Sequence, residues 1–367
     1  MSQLLPNRRW VKILAAVSIF ALVLLFYHGI EDSRHIVRET SLAAEGFTID
    51  EHGFLTLPQA EEFCRAHKWR VYPERTTRRK IYDLFMINTE LDWLEIRLNE
   101  LKDEVDYFVI LESASTFTNV SKPLHLHEHW EQFSAFHHKI IYRVFNDTGL
   151  SSNVTWDHED LQRNAMFDQV FPALSGEQEP RLGDVILVSD IDEIPRPATL
   201  QVLRNCKYPR RLTIRSRFYY YSFQWLHRGT EWAHPQATIY EGEKTIRPAN
   251  LRNGDGGNII QTQLDKANLW NAAWHCSSCF ATLEEMVTKM SSFSHVELNQ
   301  PQFREPAQIV RRVRNGLDLF DRKGEFYDRV ESNADIPEYM KNKKDEFSYM
   351  LDRDPPNANF RDYTAEG

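Results

Sequence analysis

The run Asp184-Val-Ile-Leu-Val-Ser-Asp-Ile-Asp-Glu-Ile-Pro195 decides how this chain is read. Its first residues, Asp184–Val188, form a short apolar stretch of the kind that lies buried in a parallel sheet. The stretch ends in Ser189-Asp190-Ile191-Asp192-Glu193, so acid arrives at the carboxyl end of a buried strand. Open α/β sheets bind their ligands at that end. In extended backbone, residues i and i+2 point the same way, and both Asp190 and Asp192 then face one ion. Mg2+ and Mn2+ take oxygen ligands, commonly one or two carboxylates completed by substrate phosphates. The ligand suited to such a site is a diphosphate, and in a secretory lumen a nucleotide sugar. The bland alternative is an acidic turn capping a helix at Pro195.

Outward from this run the texture alternates. Strands are expected at Tyr82–Ile87, Tyr107–Leu111, Lys139–Val144, Arg211–Ile214 and Phe218–Phe223. Thr89, with Asp92 three residues on, reads as the start of a helix whose Leu91, Leu94, Leu98 and Leu101 share a face. Trp156–Phe171 and Thr282–Phe293 read as further helices, the second opened by a Thr282/Glu285 capping box. Strand–helix alternation with buried strands implies an α/β fold with a mostly parallel central sheet. A haloacid-dehalogenase-like phosphatase also places D-x-D after an apolar strand, but there the motif opens the domain and runs on into Gly or Thr.

Of the 367 residues, 42% are hydrophobic and 26% charged, a globular balance that excludes disordered and collagen-like classes. The net charge of −9 argues against a general nucleic-acid binder. From Ile13 to Ile30 there is no Asp, Glu, Lys or Arg, and Arg8, Arg9 and Lys12 precede the run. It predicts a single transmembrane signal anchor with the remainder lumenal, a cleaved signal peptide being the rival. The expected divisions are a cytoplasmic tail over 1–12, the anchor over 13–30, a stem over 31–78, a catalytic domain over 79–335 and a charged tail over 336–367. Sequons at Asn119, Asn146 and Asn153 agree with a lumenal compartment. Cys64, Cys206, Cys276 and Cys279 read as structural disulfides of open connectivity, with a zinc or redox C-x-x-C as rivals.

The runs YDLFMINTELDWLEIRLNEL, VDYFVILESASTFTNVSKPL, DVILVSDIDEIP, WHCSSCF and KMSSFSHVELN together resemble glycosyltransferase family 17 across about Lys80–Asn299. The resemblance implies a type II Golgi membrane enzyme with a GT-A-like nucleotide-sugar-binding domain. It also implies inverting transfer of N-acetylglucosamine from UDP-GlcNAc, in β-1,4 linkage, to the mannose of an N-glycan core. Rival readings keep the fold with another donor or acceptor, or make the chain an inactive glycan-binding protein. Asp190 and Asp192 hold the Mn2+ or Mg2+ by both motif and resemblance, with His275 or His295 as a further ligand. Asn88, Glu90, Glu112 and Ser113, at strand carboxyl ends, are expected donor contacts, as are Arg97 and Arg163. For each arginine a salt bridge to Glu112 or Glu159 is the alternative. Glu284 is the expected general base and Asp255 its alternative, while Glu193 is expected to support the site. Trp270 and Trp274 are sugar-stacking candidates, with core packing as the other reading.

Overall fold

The computed structural model describes residues 8–32, 46, 48–116, 121–146, 155–258, 262, 264–292 and 298–364. Its strands are β1 (Arg70–Val71), β2 (Ile81–Ile87), β3 (Tyr107–Glu112), β4 (Ile140–Val144), β5 (Val185–Val188), β6 (Glu193–Pro195), β7 (Cys206–Lys207), β8 (Arg211–Tyr220), β9 (Ser222–His227), β10 (Gln236–Ile239), β11 (Lys266–Ser277) and β12 (Tyr327–Arg329). The helices are α1 (Arg8–Asp32), α2 (Leu57–Ala66), α3 (Leu91–Leu101), α4 (His125–Glu128), α5 (Thr155–Asp168), α6 (Pro197–Asn205), α7 (Pro248–Asn253), α8 (Leu283–Ser292), α9 (Pro306–Arg314), α10 (Glu338–Asn342) and α11 (Ser348–Leu351).

The main sheet runs β12-β9-β8-β10-β5-β2-β3-β4. Strands β5, β2, β3 and β4 are parallel. The chain steps outward from β2 to β4 and returns on the other side of β2 as β5. The order therefore reverses between β2 and β5, the kind of place where open α/β sheets bind ligands beyond their strands' carboxyl ends. Alternate residues of β2 serve opposite faces: Ile81 and Phe85 pack with the leucines of α3, while Tyr82 and Leu84 pack with Ala165, Met166 and Phe167 of α5.

The expectation of a mostly parallel sheet is corrected. β10 lies antiparallel to both β5 and β8, β8 and β9 form a hairpin, and β12 runs antiparallel to β9. The hairpin turns at Tyr221, with φ 66°, at a position bearing neither Gly nor Pro. β11 is parallel to β8 and antiparallel to β6, so it ties the end of the D-x-D segment to the antiparallel half.

Two expected appendages are packed elements. Phe54, Leu55, Ala60 and Cys64 are buried, Cys64 is disulfide-bonded to Cys206, and β1 pairs with β7. The segment from residue 48 to 78 is thus packed on the domain that carries the main sheet. In the expected tail, Met350, Arg353 and Phe360 are fully buried. The second disulfide joins Cys276 and Cys279 at the end of β11.

Among the described residues no helix is long and apolar enough to cross a membrane. The consecutive side chains described in α1 are the twelve from Lys12 to Val23, where a span needs about 20 residues. The anchor expected over 13–30 is not borne out.

Candidate active site

The loop between β5 and β6 carries Asp190 and Asp192, and it is held from beneath by Arg97 of α3. Arg97 and Asp83 of β2 are both fully buried and bonded twice, Nε to Oδ2 at 2.8 Å and NH2 to Oδ1 at 2.7 Å. The remaining donors of Arg97 reach the carbonyls of Asp190 and Ile191, each at 3.2 Å, that of Glu193 at 2.8 Å, and Ser189 Oγ at 2.5 Å. A tight loop would otherwise bury these carbonyls unbonded. Arg97 therefore neither faces a diphosphate nor pairs with Glu112 or Glu159, because its guanidinium is consumed in fixing the loop.

Above the loop, both oxygens of the partly exposed Asp190 carboxylate meet arginine. Arg163 of α5 donates to Oδ1 at 3.0 Å and Arg252 of α7 to Oδ2 at 2.5 Å. Arg163 also bonds Glu159 one turn back, at 2.6 Å. Arg252 donates to both oxygens of the fully buried Glu193, at 2.8 and 2.9 Å. Glu193 further accepts from the backbone N–H of Asp190 at 2.9 Å and from Trp232 Nε1 at 2.7 Å. Burial pushes the Asp190 carboxyl up, but Arg252 and Arg163 outweigh it and hold it below its ordinary range. Burial also raises Glu193, and the charge and hydrogen bonds of Arg252 overturn this, leaving it well below the carboxylate range.

Asp192 is buried on the other side of the loop. His275 of β11 places Nδ1 3.6 Å from Asp192 Oδ1, and Lys289 of α8 brings Nζ to 3.7 Å from Oδ2. His275 stands opposite Glu193 in the β11–β6 ladder, and its ring stacks between Phe218 and Trp232 at centroid distances of 5.0 and 5.3 Å. Among the described residues no group of three or more His, Cys, Asp or Glu is arranged to hold a metal ion. The donor chemistry of Asp192 and His275, a carboxylate and an imidazole 3.6 Å apart, is nevertheless of the kind that would hold a divalent cation.

The other candidates fall in different places. Asn88 sits at the carboxyl end of β2 with a buried Oδ1 that has no hydrogen-bond partner among the described residues, and Glu90 accepts from its backbone N–H. Glu112 is corrected as a donor contact: it is fully buried and accepts from Leu126 N, His127 N and Tyr142 Oη, so it caps α4. Ser113 is buried beside Ser115. Glu284 is exposed, and Asp362 caps its helix. It lies five residues from Lys289, about 140° around the helix at roughly 100° per residue, and so is turned away from Asp192. Asp255 is exposed three residues beyond Arg252, in a loop whose carbonyls Arg211 holds. Trp274 is buried beneath Arg196 and donates to Asp335 at 2.7 Å, a packing role. Trp270 lies beneath Arg215. Asn119, Asn153 and His295 lie outside the described residues, and Asn146 is exposed.

Sequence reading passed over Arg252, Trp232 and Lys289. Each is remote in sequence from the motif; Lys289 opens the quoted run KMSSFSHVELN, Arg252 stands at the edge of the glycine-bearing loop Asn253-Gly-Asp-Gly-Gly257, and Trp232 carried no signal.

The family model for glycosyltransferase family 17 matches residues 8–356. The chain belongs to glycosyltransferase family 17. Proteins named β-1,4-mannosyl-glycoprotein 4-β-N-acetylglucosaminyltransferase from Rattus norvegicus and Homo sapiens are each 28% identical to this family-17 chain over 313 residues, 78% of it. The chain spans little more than half the length of these relatives, 56% and 57%. A solved mannosyltransferase of Pyrobaculum calidifontis, in complex with GDP-Man and Mn2+, aligns over 70% of this chain and 69% of its own at 9% identity and a TM-score of 0.32.

Proposed function

We propose that this family-17 chain is an inverting transferase that moves N-acetylglucosamine from UDP-GlcNAc, in β-1,4 linkage, to the mannose of an N-glycan core. The observation that carries the reading is the D-x-D loop at the reversal between β2 and β5, with two arginines converging on it. A GT-A-like nucleotide site is part of the proposal. The α-linked donor and β-linked product require one in-line displacement. The acceptor oxygen bonds to the anomeric carbon, the bond to the β-phosphate oxygen breaks, and UDP leaves with the electron pair.

Arg163 and Arg252 offer the diphosphate paired, directional N–H donors. Asp192 and His275 are the residues that would hold a Mn2+ or Mg2+ ion, which would supply charge stabilisation to the departing diphosphate, while Asp190 on the same loop is held by Arg163 and Arg252. The acceptor proton needs a base in reach of the site, and we assign it to Asp255, on the loop that follows Arg252. Golgi membrane localisation with a lumenal site belongs to the same proposal. Two disulfides support an oxidising lumen, and the exposed apolar side chains of α1, Ile13 to Val23, support membrane attachment.

The test mixes the full chain and Mn2+ with UDP- and GDP-sugars and reads nucleotide release with and without a biantennary N-glycan. UDP release from UDP-GlcNAc that rises with the glycan supports the reading. Release that ignores the glycan discards the acceptor, and no turnover of any donor discards the transferase.

A further inference from the structure

Trp232 meets solvent the opposite way round from most boundary tryptophans, which bury the rings and leave the N–H wet. Its Nε1 donates inward to the fully buried Glu193 at 2.7 Å, yet the residue is 38% exposed. What it shows to solvent is therefore apolar ring. The bond to Glu193 and backbone pairing with Ser216 of β8, at 2.9 and 3.0 Å, fix it there. The indole stacks on His275 at 5.3 Å and leans on Phe218 at 5.7 Å. The aromatic surface then continues, because Phe218 also packs on His227 of β9, with centroids 5.1 Å apart. His227 Nε2 lies 3.0 Å from Glu325 Oε2, and these two side chains are 17% and 32% exposed. Gly229 lets the chain pass over this pair, since a Cβ there would run into the His227 ring.

A fixed ring face beside a partly open carboxylate and imidazole suits a pyranose. The sugar's C–H face lies on the ring while its hydroxyls bond the polar rim. The adjoining cations Arg228 and Lys289 are already paired, with Asp328 and Asp192, so the strip favours an uncharged sugar. The arginines that suit a diphosphate come from α5 and α7, whereas the strip is built on β8, β9 and β11 of the antiparallel half. We infer that Trp232, Phe218 and the His227–Glu325 pair form the subsite for an uncharged pyranose of the acceptor glycan. The assignment rests on the transferase reading above for that sugar's role as acceptor. Donor and acceptor sugars share this ring chemistry, and their separate KM values tell them apart.

Nucleotide release by the full chain, varied in UDP-GlcNAc and in a biantennary N-glycan, gives the two KM values. Calorimetry with UDP and Mn2+ present gives the affinity for the glycan. Trp232→Leu should raise the glycan KM about tenfold and weaken glycan binding equally, with the donor KM unchanged. Trp232→Phe keeps a ring but loses the bond to Glu193, so its glycan KM should stay within about twofold of wild type, any loss falling on kcat. Glu325→Gln should raise the glycan KM about fivefold. A Trp232→Phe glycan KM as high as that of Trp232→Leu shows that the residue only braces Glu193, and overturns the inference. A donor KM that rises alone gives the ring to the donor sugar and overturns it too. If Trp232→Leu does not fold by circular dichroism, Glu325→Gln decides by the same split of KM values. A wild-type chain that turns over no donor, yet binds the glycan through Trp232, supports the subsite and overturns the transferase reading. One that turns over donor and binds no glycan overturns the subsite alone.

Discussion

Arg97 of α3 and Asp83 of β2 meet between helix and sheet with no solvent-facing surface on either side chain, bonded at 2.7 and 2.8 Å. Removing one member leaves the other charged and buried, which costs about 3–5 kcal/mol. Arg97→Met and Asp83→Asn should each lower the urea midpoint accordingly, and Arg97→Met should also abolish transfer, because the loop carbonyls lose their donors. Lysine at position 97 should not rescue, since it lacks the planar fork. An Arg97→Met chain that unfolds at the wild-type midpoint contradicts this.

The pH dependence of stability should carry the signature of His234. Burial, then the positive charge of Arg252, lowers this imidazole to about 4. The unfolded chain, with an ordinary value of about 6.5, takes up the proton first. Stability is therefore full above that value and is lost as pH falls toward about 4, with a slope approaching 1.4 kcal/mol per pH unit. Asp190 and Glu193, both held low, add their own loss in more acid solution. Urea midpoints of His234→Gln, measured from neutral pH to about 4.5, should fall less steeply than those of wild type.

Opening the Cys64–Cys206 bond releases a loop whose ends stand 142 positions apart in the sequence. Replacing both cysteines by serine should cost about 2–5 kcal/mol. Limited proteolysis should then cut first between residues 48 and 78, the part clipped on by this bond and by the β1–β7 pair. Unchanged cleavage sites would show that packing alone holds the segment.

Arg353 is fully buried and donates to the carbonyls of Tyr221, Phe280 and Ala358. Its replacement by methionine strands three acceptors, each worth about 1–3 kcal/mol when left unpaired. The thermal midpoint should fall steeply, and truncation after residue 335 should prevent folding. A stable truncated domain would return residues 336–367 to the status of a loose tail.

Much of this was legible because it was local. Strands β2, β3 and β5 read as apolar runs, and α3, α5 and α8 showed helical periodicity. The Thr282/Glu285 box is formed as read, with Thr282 N donating to Glu285 Oε2 at 2.9 Å. Of the site residues read from the sequence, Arg163 meets Asp190 and His275 meets Asp192. The antiparallel half escaped because β11, reading Lys-Ala-Asn-Leu-Trp-Asn-Ala-Ala-Trp-His-Cys-Ser, is poor in β-branched residues and broken by a register shift between Leu269 and Ala273. Arg252 and Trp232 reach the motif across 59 and 39 residues of chain, a distance that no periodicity encodes.

The clip formed by Cys64, Cys206 and the β1–β7 pair has a directional consequence. Arg79 bonds the carbonyls of Leu203 and Cys206, and Arg204 bonds those of Arg79 and Glu104, which sets the clip against the starts of β2 and β3. The D-x-D loop stands at the opposite ends of the parallel strands, a β2 length away, about 23 Å at roughly 3.3 Å per residue. Residues 48–78 thus form a handle on one pole of the domain, and the D-x-D loop stands at the other. Whatever holds the chain by that handle leaves the D-x-D loop pointing outward.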